Sequence, residues 1–216
     1  MLETQPAPSS SAEKETARLE AFSDGVFAIA ITLLILNIQV PPLDEGTLVE
    51  AILRQWPAFL AYGVAFLTIL IMWVNHHAIF RHIHRINRAF LVLNGLLLMV
   101  VTFVNYPTAL LTRYLTAEQG PTVAAVFLSG TFLAVSILFN VLWRYATYKG
   151  RLLGPNPNRA AVRAISRQYV FGPLLYTAAL ALAFFSAPAS LILNGLLALY
   201  FAFAGRDTPD SDAGSA

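Results

Sequence analysis

The run of residues 22–40 limits what this chain can fold into more than any other stretch. Its 19 residues are mostly Phe, Ala, Ile and Leu, and as an α-helix they would span about 28 Å, close to the roughly 30 Å of a bilayer's hydrocarbon core. The whole chain shares this character, because 57% of its 216 residues are hydrophobic and only 12% are charged. An all-α polytopic membrane protein without a separate soluble domain is therefore predicted.

Five further apolar runs bring the predicted number of transmembrane helices to six. They cover residues 56–74, 89–111, 122–143, 169–185 and 188–203. Pro107 and Pro173 lie inside predicted helices and are expected to kink or end them, since proline removes a backbone donor. The polar tails 1–17 and 206–216 are predicted to be disordered, which leaves residues 18–205 as one six-span domain.

The positions of the basic residues predict the orientation. Of the 14 Lys and Arg residues, all but Arg54 and Arg113 lie in the two tails, at the head of the first span (Arg18) or in the second and fourth connections. The positive-inside rule then predicts a multi-pass protein of the cell membrane with both tails cytoplasmic. The basic surface would face anionic lipid, and nothing in the sequence indicates nucleic-acid binding. No cysteine is present, which excludes disulfides and thiolate metal sites.

Asp24 lies about half a helical turn inside the predicted membrane boundary, where an unpaired charge costs a few kcal/mol. One interpretation is that Ser23 or Asp24 caps the start of the helix. Arg18 is about 120° away around the helix and cannot be a simple partner. The favoured interpretation is that Asp24 takes a donor from another segment.

His76 and His77, at the end of the second span, are predicted at the same membrane face as Asp24. A histidine that donates to Asp24 is favoured over interfacial histidines solvated by lipid headgroups. Adjacent histidines on a helix point about 100° apart, which disfavours a shared metal ion. We therefore predict no metal site and no cofactor.

Ile29, Thr32, Leu33 and Leu36 share one face of the first helix, at spacings of three, four and seven residues. In a single chain such a face contacts lipid or packs against another helix. If several copies surrounded an axis, it would form a hydrophobic constriction, because narrow apolar rings gate ions by dewetting. Every face of this helix is apolar, so periodicity alone cannot select among them.

Two motifs carry a resemblance to a known family. They are Arg18-x-x-x-Phe22-Ser23-Asp24-Gly25 at the head of the first span, and Trp73 with His76 and His77 at the end of the second. With six spans in about 200 residues, they make the chain resemble the prokaryotic branch of the transmembrane protein 175 family, the lysosomal-type potassium channels. The resemblance covers residues 18–205.

The resemblance implies a potassium-permeable cation channel without the usual Thr-Val-Gly-Tyr-Gly filter, assembled as a homotetramer because this chain has one copy of the motif. Its pore constriction would fall on Ile29, Leu33 and Leu36. Thr32 would contact a partly dehydrated ion and contribute to selectivity. Potassium ions, the bilayer and other copies of the chain are the partners implied.

The resemblance also implies a structural role for the motif residues, which would anchor the pore helix to its neighbours without touching the ion. This network would comprise Arg18, Phe22, Ser23, Asp24, Trp73, His76 and His77.

Two other classes of function are considered. LVLNGLLLMV from Leu91 echoes LILNGLLALY from Leu191 on spans that run in opposite directions, which would suit an inverted three-plus-three repeat in a secondary transporter. Chance similarity, or simple packing with Asn and Gly at helix contacts, is the favoured interpretation of this echo. The absence of a midplane charge disfavours it. An enzyme would need a triad of Ser23, Asp24 and His76 or His77, but the sequence has no nucleophile elbow, so no enzymatic activity is predicted.

Overall fold

The computed structural model describes residues 11–42, 47–154 and 157–203. Within these ranges the chain is helical, and its extended pairing is a single isolated bridge between Ile83 and Leu153. The α-helices are α1 (Ser11–Leu33), α2 (Leu48–Arg54), α3 (Trp56–Phe80), α4 (Arg88–Phe103), α5 (Asn105–Tyr114), α6 (Pro121–Thr147), α7 (Arg159–Ala183) and α8 (Ala187–Phe203). A 3-10 turn, Leu34–Asn37, extends α1. The predicted all-α class is confirmed.

Six long helical segments correspond to the six predicted spans. Four of them are long and apolar enough to cross a membrane, judged within the described ranges: Ser11–Asn37, Trp56–Phe80, Arg88–Tyr114 and Pro121–Gly150. The fifth segment, α7, opens with a polar, Arg-rich stretch before its apolar part, and α8 is a shorter apolar helix of 17 residues.

The first helix begins earlier than the sequence predicted. Disorder was expected over residues 1–17, yet α1 starts at Ser11. Residues 11–17 are rich in Ala, Glu and Lys, which have high helix propensity, and Thr16 donates a side-chain hydrogen bond to the carbonyl of Ala12 at 3.0 Å. Residues 1–10 and the tail 206–216 lie outside the described residues.

The third span breaks where proline was expected to disturb it. α4 ends at Phe103, and α5 begins two residues later, ahead of Pro107. Because Pro107 has no N–H to donate to the carbonyl of Phe103, and its ring crowds that carbonyl, the helix cannot continue regularly through this point. By contrast, α7 runs through Pro173 as one helix.

The core lies around α6, which packs against α4, α5, α7 and α8, while α3 packs against α1, α5 and α8. The largest buried side chains include Trp143, Phe90 and Phe132. The N–H of His84 donates to the carbonyl of Leu152 at 3.0 Å beside the Ile83–Leu153 bridge. The second and fourth connections, which carry most of the basic residues, therefore meet at one end of the molecule.

Candidate functional site

The first helix has one packed face and one exposed face. Thr16, Ser23, Phe27, Ala30 and Leu34 are buried, where α1 packs against α3 and α4 and the following 3-10 turn packs against α3 and α5. On the opposite side lies a set of exposed residues that we call the α1 stripe. The α1 stripe comprises Arg18, Phe22, Gly25, Ile29, Thr32, Leu33 and Leu36.

The aliphatic part of the α1 stripe has no cover within one chain. Ile29 is 58% exposed, Leu33 45% and Leu36 69%. Because they recur about once per helical turn, the three side chains form a continuous apolar surface along the helix axis. All three side chains therefore lie on the exposed side of α1.

Thr32 carries the one hydroxyl group of the α1 stripe. Its Oγ1 donates to the carbonyls of Ala28 at 3.0 Å and Ile29 at 3.1 Å on its own helix. Because the proton turns toward the helix, the oxygen lone pairs remain available on the exposed side. The exposed oxygen of Thr32 can therefore still accept a hydrogen bond.

Asp24 takes its hydrogen bond from another helix, as predicted, but not from a histidine. The indole Nε1–H of Trp73 on α3 donates to Asp24 Oδ1 at 2.9 Å. The predicted histidine donor is wrong, because His76 and His77 both bond to other residues. The long indole reaches the half-buried carboxylate from a position one turn before His77 on α3.

His76 belongs instead to a buried chain of hydrogen bonds through three helices. Its Nε2 lies 2.9 Å from Asn94 Oδ1 on α4, and Asn94 Nδ2 donates to Ser23 Oγ on α1 at 2.9 Å. Ser23 Oγ donates in turn to the carbonyl of Leu19 at 2.9 Å. Since Asn94 directs its oxygen at the ring, the Nε2 of His76 donates. Ser23, His76 and Asn94 are each fully buried.

His77 makes a second, exposed tie between α3 and α1. Its Nδ1 lies 2.9 Å from Oε1 of Glu20, and its ring stacks on Trp73 with centroids 6.3 Å apart. The residues of α1, α3 and α4 that make these ties form what we call the anchor network. The anchor network comprises Glu20, Ser23, Asp24, Trp73, His76, His77 and Asn94.

The anchor network differs from the predicted set at four positions. Arg18 and Phe22 were expected in it, but Arg18 is exposed without a hydrogen bond or ion pair to the described residues, and Phe22 is 64% exposed. Both lie on the α1 stripe. Glu20 and Asn94 were missed, although Asn94 had one signal in the sequence, its place in the repeated Leu-Asn-Gly-Leu segment.

The far end of α1 is fixed at the break of the third span. Asn105 Nδ2 donates to the carbonyl of Ala30 at 3.2 Å, and Asn37 Nδ2 approaches the carbonyl of Asn105 at 3.4 Å. Because both ends of α1 are tied on the packed face, the α1 stripe is held in a defined orientation.

The same contacts bear on two other kinds of site, a catalytic triad and a metal site. The hydroxyl of Ser23 is bonded to Leu19 and Asn94, so neither histidine activates it as a nucleophile. Within the described ranges, no group of three or more His, Cys, Asp or Glu side chains could hold a metal ion.

The comparisons with known proteins cover the helices that form the anchor network. The family described as the endosomal/lysosomal potassium channel TMEM175 matches residues 18–104. A potassium channel of Chamaesiphon minutus is 51% identical over 193 residues, which cover 88% of this chain and 95% of that relative. A potassium channel of Streptomyces collinus is 47% identical over 200 residues, covering 92% of this chain and 97% of that relative.

A solved structure shares the arrangement of helices. The crystal structure of a lysosomal potassium-selective channel TMEM175 homolog from Chamaesiphon minutus matches with a TM-score of 0.82 at 49% identity. The match covers 89% of this chain and 99% of that one. These relatives are named as channels and not as enzymes. The fold, the motif-bearing first helix and the near-complete coverage agree, and the chain belongs to the TMEM175 family.

Proposed function

We propose that this protein is a potassium-permeable cation channel in which the α1 helices of a homotetramer surround one ion path. The observation that carries the proposal is the α1 stripe. Its aliphatic side chains have no cover within one chain, and Thr32 adds one exposed hydroxyl among them. Relatives similar over nearly their whole length are named potassium channels.

In this channel Ile29, Leu33 and Leu36 form three apolar rings. Such rings exclude water when they are narrow, so they gate the ion path without any charged group. Between the first two rings, Thr32 from each chain places an oxygen that replaces part of an ion's hydration shell. Potassium holds its water less tightly than sodium and would lose less on entering, which favours potassium.

The anchor network has a positioning role in this proposal. It fixes α1 against α3 and α4 through the buried hydrogen bonds from His76 to Asn94 and from Asn94 to Ser23, which hold the rotation of the α1 stripe about the helix axis. The protein would lie in the cell membrane with both termini cytoplasmic, since the basic connections gather at one end.

Ion flux into liposomes tests this function. A potassium gradient and then an equal sodium gradient are applied to the reconstituted protein, and potassium flux should be rapid and exceed sodium flux. Ile29→Asn should change the flux, because a polar side chain wets the constriction. Ile192→Asn on α8 is the matched control, since Ile192 is also 58% exposed but lies outside the proposed path.

Absence of passive flux from a folded oligomer, or equal effects of the two substitutions, would contradict the proposal. A native mass other than four chains in detergent would contradict the tetramer alone.

A secondary transporter is the second candidate, and one observation favours it. Asn94 and Asn194 occupy the echoed segments, and each donates to a serine on the first helix of its half of the chain, Ser23 on α1 and Ser129 on α6. Equivalent contacts of this kind are expected of an inverted repeat. Slow, saturable flux coupled to a second ion would favour this candidate over the channel.

A further inference from the structure

The second half of the chain is basic without any acidic residue to balance it. No Asp or Glu occurs between Glu118 and Asp207, whereas Arg and Lys residues are concentrated around the connection from α6 to α7. A local excess of positive charge at the end of a membrane span attracts anions.

Three of these cations line one cavity of about 450 Å³ at this end of the molecule. They are Lys149, Arg159 and Arg163, and none of them makes an ion pair with a described residue. Arg159 and Arg163 are four residues apart on α7 and so share one face of that helix. Their two guanidinium groups offer planar pairs of donors that match phosphate oxygens.

Lys149 reaches the cavity from a backbone conformation that a lysine rarely adopts. Its φ is 53°, in the left-handed region that favours glycine. The next residue, Gly150, also has positive φ, so the chain turns sharply where α6 ends. The turn brings a cation from the end of one span toward the first turns of the next.

The cavity also has an apolar wall. Leu153, Pro157 and Val162 line it together with the three cations. A free inorganic anion gains nothing from contact with an apolar wall, whereas a phospholipid has apolar acyl chains on the membrane side of its phosphate, beyond the glycerol esters. The location agrees, because the spanning segment of α6 ends at Gly150, where lipid phosphates would lie.

We propose that this cavity binds the headgroup of an acidic phospholipid from the adjacent leaflet, with Lys149, Arg159 and Arg163 around its phosphate. The site is separate from the α1 stripe and does not depend on which ion the protein conducts. It ties α6 to α7, the most extensively packed pair of helices, through a lipid.

Binding of a short-chain phosphatidylglycerol to the purified full-length protein in detergent tests the proposal. Removing one cation near a lipid surface should weaken binding about fivefold, so R159Q/R163Q should weaken it about 25-fold. The matched control is R54Q/R113Q, which removes two exposed arginines from a separate polar cavity at the other end of the molecule and should leave binding unchanged. Phosphatidylcholine and inorganic phosphate are measured alongside.

Selective loss in R159Q/R163Q, with weak binding of phosphatidylcholine and inorganic phosphate, supports the proposal. Equal loss in both double variants would show attraction by overall charge and overturn it. Binding of inorganic phosphate as tight as that of the lipid would overturn the lipid as occupant. If R159Q/R163Q does not fold, K149Q at an exposed turn takes its place, and unchanged lipid binding in it would overturn the proposal.

Discussion

Asn94 and Asn194 lie in nearly identical sequences, LVLNGLL and LILNGLL, yet their side chains are bonded differently. Asn94 uses both amide atoms and joins three helices, since it accepts from His76 and donates to Ser23. Asn194 donates to Ser129 and to the carbonyl of Ser190 on its own helix. Its Oδ1 is buried without a partner in the described part of the chain.

The difference shows that the same local sequence can serve two purposes. Around Asn94 the donors and acceptors come from three helices, and removing the amide leaves the ring N–H of His76 without an acceptor. Around Asn194 the hydroxyls of Ser129 and Ser190 already bond to each other at 2.9 Å, and Ser190 Oγ donates to the carbonyl of Ala179. The first cluster therefore depends on its asparagine, whereas the second does not.

The largest effect is expected at Asn94. Asn94→Ala leaves a buried donor unsatisfied and opens a gap between α1, α3 and α4, which should lower the free energy of unfolding by about 2–4 kcal/mol. Asn194→Ala should cost less than about 1.5 kcal/mol, because its serine neighbours remain paired. Thermal unfolding of both variants in the same detergent measures the difference. Equal losses of unfolding free energy in the two variants would contradict the contrast between Asn94 and Asn194.

A smaller effect is expected at the edge of the first cluster. Trp73→Phe removes the donor to Asp24 and should cost about 1 kcal/mol, since the half-buried carboxylate regains water only in part. In Asp24→Ala the Trp73 indole loses its acceptor. The double substitution should cost less than the sum of the two single ones, because the pair is lost once. Additive losses in the three thermal unfolding curves would mean that the bond contributes nothing.

The smallest effect is expected from a change of pH, through His82, which belongs to neither cluster. His82 lies on the connection after α3, against Trp143, and burial, with the nearby charges of Arg81 and His84, lowers its pKa below the usual 6.5. The unfolded chain therefore binds a proton at higher pH than the folded one, and stability is lost as the pH falls below about 6.5. His82→Gln should reduce that loss. An unchanged slope of stability between pH 7 and pH 5 would contradict the assignment.

Much of the fold could be read from the sequence because it follows from local physics. The length of the run at 22–40 predicted a membrane span, and the missing N–H of Pro107 predicted the break between α4 and α5. The start of α1 was misplaced because residues 11–17 are polar but have high helix propensity. Their polar composition was interpreted as disorder, but their helix propensity determines the structure.

The candidate site was less accessible to sequence reasoning, because it depends on how helices rotate against each other. The shared face of Ile29, Thr32 and Leu36 followed from spacing, but an all-apolar helix gives no sign of which face is packed. The need of Asp24 for a distant donor also followed. The identity of that donor did not, since only the rotation of α3 decides that Trp73 reaches Asp24 while His77 reaches Glu20.

The central claim is that the α1 stripe faces ions and not lipid, and accessibility of a single introduced cysteine tests it most directly. The natural chain has no cysteine, so it serves as its own background. Thr32→Cys and, as a lipid-facing control, Ile192→Cys are reconstituted in liposomes, and potassium flux is followed while Ag⁺ is added. The account predicts that Ag⁺ blocks flux through Thr32→Cys and leaves Ile192→Cys and the natural chain unchanged. Uninterrupted flux through Thr32→Cys, or block of both variants alike, would contradict it.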